Sequence, residues 1–291
     1  MGFGWDKVVL GRTGLRVSRL GIGTSGGLTA RDLGDALDRG VNYFYWGSLR
    51  KAAYGRAVRE LARTRRDEMV VVVQSYTRAA FYMRRSLASA LSKLGLDQAD
   101  LLLLGWWNDV PPQKILDAAF ALKEAGKAKH VMVSCHHRPT FAKYIADPRF
   151  GAIMVRYNAA HPGAEQEVFP HLPSAVTERP GVVSYTATRW GALLDPALIP
   201  EGEPRPRASD CYRFALTNPH VDVTLSGPKD RSELDEAMAA IERGPMDADE
   251  LAWMKRVGKV VRAASASKGG NLPVTLLDRF FGGGAPREGA T

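Results

Sequence analysis

Residues 69–105 read MVVVVQSYTRAAFYMRRSLASALSKLGLDQADLLLLG, and this stretch decides the fold. It opens with a near-continuous apolar run at 69–74 and closes with another at 100–105. Unbroken apolar runs of this length suit strands covered on both faces, as in a parallel sheet. Between them, residues 78–94 place Phe81, Leu87, Leu91 and Leu94 at helical spacing and stop at Gly95. Strand, helix, strand is the building unit of a parallel α/β fold.

The unit repeats in both directions. Further strand-like runs lie at 130–134 (HVMVS), 152–156 (AIMVR), 182–186 (VVSYT) and 221–226 (VDVTLS), with weaker ones at 20–23 and 41–45. Helical patterns lie at 29–39, where Thr29 caps and Gly40 stops, and at 114–125, 232–241 and 248–261. Eight strands alternating with helices predict an α/β fold of the (β/α)8 TIM-barrel kind. A doubly wound open sheet is the alternative, but no Gly-x-Gly-x-x-Gly follows the first strand. Ahead of that strand, residues 8–10 and 15–17 flank Gly11-Arg12-Thr13-Gly14, which predicts a β-hairpin plug over the closed end. One domain spanning 1–281 is expected, with 268–271 a linker, 272–281 docked over or beside the barrel, and 282–291 a flexible tail.

Composition excludes several classes. Of 291 residues, 45% are hydrophobic and 24% charged, near the globular average, which excludes disorder and collagen-like repeats. No apolar run approaches the roughly 18 residues a membrane span needs. The opening residues lack a basic-then-apolar leader pattern, so a cytoplasmic protein is expected. Cys135 and Cys211 make neither a disulfide framework nor a paired-cysteine zinc site. The net charge is +9, and residues 1–90 carry all of the excess, with 16 Lys/Arg against 7 Asp/Glu. Those arginines are scattered through helix-like segments without a recognition motif, so a solvated surface and no nucleic-acid partner is the reading.

The ordered motifs resemble the aldo-keto reductases. Leu10-Gly-Arg-Thr-Gly-Leu-x-Val-Ser-x-Leu-Gly-x-Gly is similar to their N-terminal hairpin and first strand. Gly40-Val41-Asn42-Tyr43-Phe44, Leu91-x-x-Leu94-Gly95, Asp100 to Leu104, Glu124-x-Gly126-Lys127, Val133-Ser134, Tyr157-Asn158 and Gly191-x-Leu193-Leu194 continue the series. The resemblance runs from about residue 8 to about 245 and implies hydride transfer between NADP(H) and a small-molecule carbonyl. It also implies a catalytic Asp, Tyr, Lys and His. At their places stand Tyr45 for Asp, Gln74 or Ser75 for Lys, and Gly105 for His. Tyr54 is the candidate for the tyrosine, nine positions after Tyr45 where the family spacing is five. Without Lys and His, a tyrosine is not activated as an acid, so ordinary ketone reduction is not expected by the family route.

Cofactor residues are implied at Ser134, Tyr185, Gly227, Lys229, Arg231 and Glu236, with Tyr185 as the aromatic that stacks on the nicotinamide. Lys229 and Arg231 at the start of a helix suit an anion such as the 2′-phosphate of NADP, while Asp230 and Glu233 form a capping box. Cys135, Met154 and Ala237 stand where the family has Asn, Gln and Asn. Carboxyl ends of barrel strands carry the active site. They supply Trp46, Trp106, Trp107, Asn108, Arg156 and Trp190 as a substrate pocket, and His136 or His137 as a replacement acid or base. Cys135-His136-His137 is not read as a metal site, because neighbouring residues point apart. Two other function classes stay open at this point: a non-redox lyase or isomerase on the same barrel, and a cofactor-sensing protein without turnover. The oligomeric state is not encoded in any motif.

Overall fold

The computed structural model describes residues 3–23, 26–47 and 52–267. The expected linker, docked segment and tail, 268–291, lie outside these. Val8–Val9 (β1) and Arg16–Val17 (β2) pair antiparallel as the expected hairpin. The chain then alternates through Leu20–Ile22 (β3), Ala30–Asp38 (α1), Tyr43–Trp46 (β4), Ala52–Arg65 (α2), Val70–Ser75 (β5) and Ala80–Leu94 (α3). Ala99–Trp107 (β6), Gln113–Glu124 (α4), Ala128–Cys135 (β7), Phe141–Ala146 (α5), Phe150–Arg156 (β8) and Ala164–Glu167 (α6) continue the alternation. Gly181–Tyr185 (β9), Ala208–Thr217 (α7), Val223–Ser226 (β10), Arg231–Arg243 (α8) and Ala248–Ser267 (α9) complete it. Strands β3 to β10 close into one parallel barrel, with β10 pairing both β9 and β3.

The expected boundaries follow local chemistry. Thr29 caps α1 in a reciprocal box with Asp32. Gly95 ends α3 in the left-handed conformation at φ 65°, which a Cβ would strain. Helices α5, α6 and α7 were not among the predicted elements, while α2 covers the arginine-bearing segment read as helix-like without set bounds. In α2 the buried face of Val58, Leu61 and Ala62 is interrupted by arginines, which blurs its period.

Two apolar layers result. Tyr43, Val72, Leu101, Leu103, Met132, Met154, Val183 and Leu225 fill the barrel, and Leu10 and Val17 from the hairpin close its lower end. Phe44, Val71, Val73, Leu102 and Leu104 face outward against the helices. Burying each Leu or Val contributes about 1.5–3 kcal/mol. The plug is fixed by polar contacts as well. Asn42 Oδ1 accepts from the Ser18 N–H at 2.7 Å, and Asn42 Nδ2 donates to the Arg16 carbonyl at 3.0 Å. At Gly11 a Cβ would overlap the Gly181 nitrogen, so only glycine lets hairpin and barrel meet there.

Candidate active site

Strand periodicity builds the mouth. Tyr43, Val72 and Leu103 point inward, so Tyr45, Gln74 and Gly105, two residues on, form the next inward layer at the carboxyl ends of β4, β5 and β6. The Tyr45 hydroxyl donates to Gln74 Oε1. A Cβ on Gly105 would overlap the Gln74 amide nitrogen, so the Gln74 side chain fills the space that a larger residue at 105 would take. A Cβ on Gly47 would likewise overlap the Tyr45 hydroxyl. Three positions from three strands thus meet in one cluster of uncharged side chains, with the Arg78 guanidinium donating to the Gly105 carbonyl at 3.0 Å. Burial pushes the Tyr45 hydroxyl well above its ordinary pKa of 10, and the neighbouring Tyr76 adds to the rise.

Ser75, the other residue considered for the lysine place, is buried and its hydroxyl accepts weakly from the Thr77 N–H. Tyr54 does not join the cluster. It sits on α2, fully buried in the layer between helix and barrel, and its hydroxyl donates to the Ile22 carbonyl at 2.9 Å. Burial raises its pKa too. Trp46 also departs from its expected place in the pocket. Alternation in β4 turns it outward, where it is 3% exposed and packs against Gly55 of α2.

A second group of residues stands on the rim. Trp106 is left-handed at φ 58°, and its N–H donates to Ser134 Oγ at 3.0 Å. That bond occupies Ser134 and pins an irregularity between β6 and β7. Trp106 meets Tyr76 edge-on at 5.3 Å and lies 6.1 Å from the half-buried His136. Trp107 is partly buried under the Arg78 guanidinium, 4.0 Å from its ring centre. Asn108 is exposed, and its carbonyl accepts from Thr140 Oγ1. Trp190 is exposed at φ 52°.

Arg156 and Tyr185 are register neighbours at the ends of β8 and β9. The Tyr185 hydroxyl is buried without a hydrogen-bond partner among the described residues, in a wall formed by the barrel interior. Burial pushes its pKa up. His161, which the sequence did not single out, lies in the loop after β8, and one guanidinium nitrogen of Arg189 in the next loop stands 2.9 Å from its Nε2 and 3.1 Å from its Nδ1.

The segment after β10 is built as follows. Gly227 is exposed with open space over its Cα. Asp230 caps α8 by accepting from the Glu233 N–H at 2.9 Å. Lys229 reaches into solvent and pairs only loosely with Glu233 at 3.5 Å. Arg231 is held by Asp32 and Asp35 of α1 and by Asp235. Glu236 accepts from the Ser209 N–H at 3.1 Å and pairs with Arg207. Met154, Cys135 and Ala237 are buried, and the Cys135 thiol donates to the His137 carbonyl at 3.1 Å. Among the described residues no cluster of His, Cys, Asp and Glu could hold a metal ion, and no helix is long and apolar enough to cross a membrane.

Residues 24–195, more than half of the chain, match the model of the aldo/keto reductase family. The chain belongs to that family. Among curated relatives it is 24% identical to an L-galactose dehydrogenase from Arabidopsis thaliana, over 87% of this chain and 94% of the relative. Two solved structures share the barrel. An aldo/keto reductase from Klebsiella pneumoniae, in complex with NADP and acetate, superposes with a TM-score of 0.72 at 21% identity, over 87% of this chain and 96% of that one. The holo form of an aldo-keto reductase from Bacillus halodurans gives 0.74 at 19% identity, over 88% and 97%. Tyr45, Gln74 and Gly105 stand together at the mouth at the places where the sequence resemblance implies Asp, Lys (Ser75 being the other candidate) and His.

Proposed function

We propose that this aldo/keto reductase binds NADP(H) and transfers hydride to or from a small molecule without a charged proton relay. The observation that carries the reading is the Tyr45–Gln74–Gly105 contact at the mouth, made of uncharged side chains. The residues present fit a nicotinamide dinucleotide. Tyr185 offers a ring and a buried hydroxyl without a partner among the described residues, which a carboxamide-bearing ring beside it would satisfy. Gly227 leaves its rim open, and Lys229 extends beside the start of α8 for a phosphate. Arg231 is already held by three carboxylates, so Lys229 is the freer of the two cations. Glu236 is engaged by Ser209 and Arg207 and would hold the adenine end only by exchanging those partners.

When bound, NADPH supplies a hydride. The chain's own part is to orient the acceptor and manage protons. Tyr45 keeps its proton tightly, because burial disfavours the phenolate and no lysine offsets this. It therefore orients a polar group but is a weak acid. His136, half-buried beside Trp106, is the remaining acid or base at the rim. Iminium ions, whose positive charge the hydride itself neutralises, suit this mouth better than simple ketones; a conjugated acceptor would become an enolate and take its proton from solvent afterwards.

The experiment is a titration of tryptophan fluorescence with NADPH and NADH, followed by steady-state assays on aldehydes, ketones, iminium ions and enones. NADPH should bind and aldehyde turnover should lie near the detection limit, since general acid–base help is worth roughly 10²–10⁴ in rate. No quenching by either nucleotide, or brisk aldehyde reduction abolished by Tyr54→Phe, would overturn the reading.

A further inference from the structure

Helices α2 and α3 lie side by side, and their outer faces carry charge of one sign. On α2, Arg56, Arg59 and Arg63 are spaced three and four residues apart, which puts them in one exposed stripe. On α3, Arg84, Arg85 and Lys93 are exposed, and the helix contains no Asp or Glu. Arg59 reaches across to the end of α3, where a Cβ on Gly95 would stand 3.3 Å from its Cγ and Nε. The two stripes are therefore one surface. Along the sequence these arginines look scattered, and the helices align them.

Arg149, Arg207 and Arg256, exposed on other faces, each meet a carboxylate. Arg56, Arg59, Arg63, Arg84 and Arg85 have no ion-pair partner among the described residues. Glu60, the only carboxylate of the two helices, pairs with none of them. Like charges three and four residues apart repel, so the array costs stability in the isolated chain. Carboxylates from outside would offset that cost.

At the mouth end of α3 the surface changes character. Phe81 and Tyr82, in the first turn, are 72% and 59% exposed and meet edge-on at 5.3 Å. Further along, the exposed Ala88, Ser89 and Ser92 are small, so the long cations rise above them. The face thus has an apolar head and a cationic body, about 16 Å long at 1.5 Å per residue. Arginine outnumbers lysine on it, and the guanidinium fork pairs with carboxylates through two parallel bonds. Aromatic and arginine side chains also carry much of the binding energy between proteins. A nucleic-acid strand would use aromatics interleaved with the cations to stack its bases, and here they stand at one end. A bilayer would take apolar side chains along the whole face.

We propose that this face docks an acidic segment of a partner protein, with an apolar side chain against Phe81 and Tyr82 and carboxylates along Arg84, Arg85 and the α2 arginines. An extended segment rises about 3.3 Å per residue, so about ten residues are ample to span it. The proposal is independent of the redox reading, because none of these residues belongs to the Tyr45–Gln74–Gly105 cluster.

The test is fluorescence anisotropy on the full-length chain with labelled probes. One peptide of about ten residues has glutamates with Leu-Phe at one end, and a second has Ser-Gly in place of Leu-Phe. A single-stranded oligonucleotide of equal charge and vesicles of phosphatidylserine and phosphatidylcholine are the competitors. The first peptide should bind saturably and more tightly than the second, and both should weaken as salt rises. Arg84→Gln with Arg85→Gln should weaken both peptides about fivefold. Phe81→Ser with Tyr82→Ser should remove the advantage of the first peptide. Lys255→Gln with Lys259→Gln, exposed cations on α9, should change nothing. All these side chains are exposed, so folding is not at stake. Equal weakening by the α9 pair would reduce the effect to net charge and overturn the proposal. Absence of saturable peptide binding overturns it too, as does tighter binding of the oligonucleotide or the vesicles than of the first peptide.

Discussion

The two ends of this barrel treat charge in opposite ways. At the lower end, Arg179 and Asp222 are both buried and joined by two hydrogen bonds at 2.6 and 2.8 Å, and Asp222 also accepts from the Val182 N–H. Asp100, 1% exposed, is met by Arg66 and Lys129. At the mouth, Arg189 faces a histidine and other arginines, and Tyr185 holds a hydroxyl without a partner among the described residues. Barrel enzymes place stability at the lower face and chemistry at the upper one. Here that division can be read in which buried charges meet a carboxylate among the described residues, as Arg179 does, and which, like Arg189, do not.

The largest effect should come from the lower end. Asp222→Ala strands a buried guanidinium and a backbone N–H, so it should cost about 3–5 kcal/mol in denaturant unfolding. A loss under about 1 kcal/mol would break the contrast. At the mouth the parallel change should go the other way. Arg189→Met removes a buried cation that has no carboxylate partner among the described residues, and should leave stability unchanged or raise it by about 1 kcal/mol. A loss as large as that of Asp222→Ala would mean that Arg189 is structural.

Acid sharpens the same contrast. His161 has a folded-state pKa of about 3 against 6.5 when unfolded. Above pH 6.5 it is neutral in both states and costs nothing. As pH falls from 6.5 towards 3, the unfolded chain takes the proton and the folded one does not, so stability is lost across that window. The groups responsible are Arg156, Arg189, Arg262 and Arg138 together with burial. Denaturation midpoints at pH 7 and 4.5 should converge in His161→Gln, and an unchanged acid limb would assign the loss to other groups.

Smaller effects separate residues that look alike in sequence. Tyr54→Phe should cost about 1 kcal/mol by leaving the Ile22 carbonyl unpaired, with turnover unchanged. Lys229→Ala should weaken NADPH, but not NADH, about two- to fivefold, as exposed charges do. Arg231→Ala should do less, because Asp32, Asp35 and Asp235 already take its charge.

Much of this was legible beforehand. Unbroken runs such as Val70 to Val73 and Leu101 to Leu104 could only be strands covered on both faces, and Gly95 marked a helix end. Gln74 and Tyr45 were found through family register, which alternation in the strands preserves. Trp46 was misplaced because proximity in sequence to Tyr45 hides the half-turn that sends neighbours to opposite faces. Tyr54 followed the same error at longer range, since an arginine-interrupted helix carries it into the core. His161 and Arg262 were not found at all. The arginine group gathers from positions 138, 156, 189 and 262, which lie in the part of the chain where Lys/Arg and Asp/Glu balance at 24 each. A balanced composition concealed an unbalanced neighbourhood, and only folding brings its members together.

Gly105 and Gln74 share one volume, and that has a consequence for the history and the engineering of this mouth. A histidine at 105 has no room while the glutamine amide is there, and a shorter residue at 74 alone takes the acceptor from Tyr45 and leaves a hole. Each single step towards a charged relay therefore begins with a loss, and the two positions are coupled rather than additive. Changing 74 and 105 together therefore says more about this mouth than changing either alone, since each position sets the room and the partners of the other.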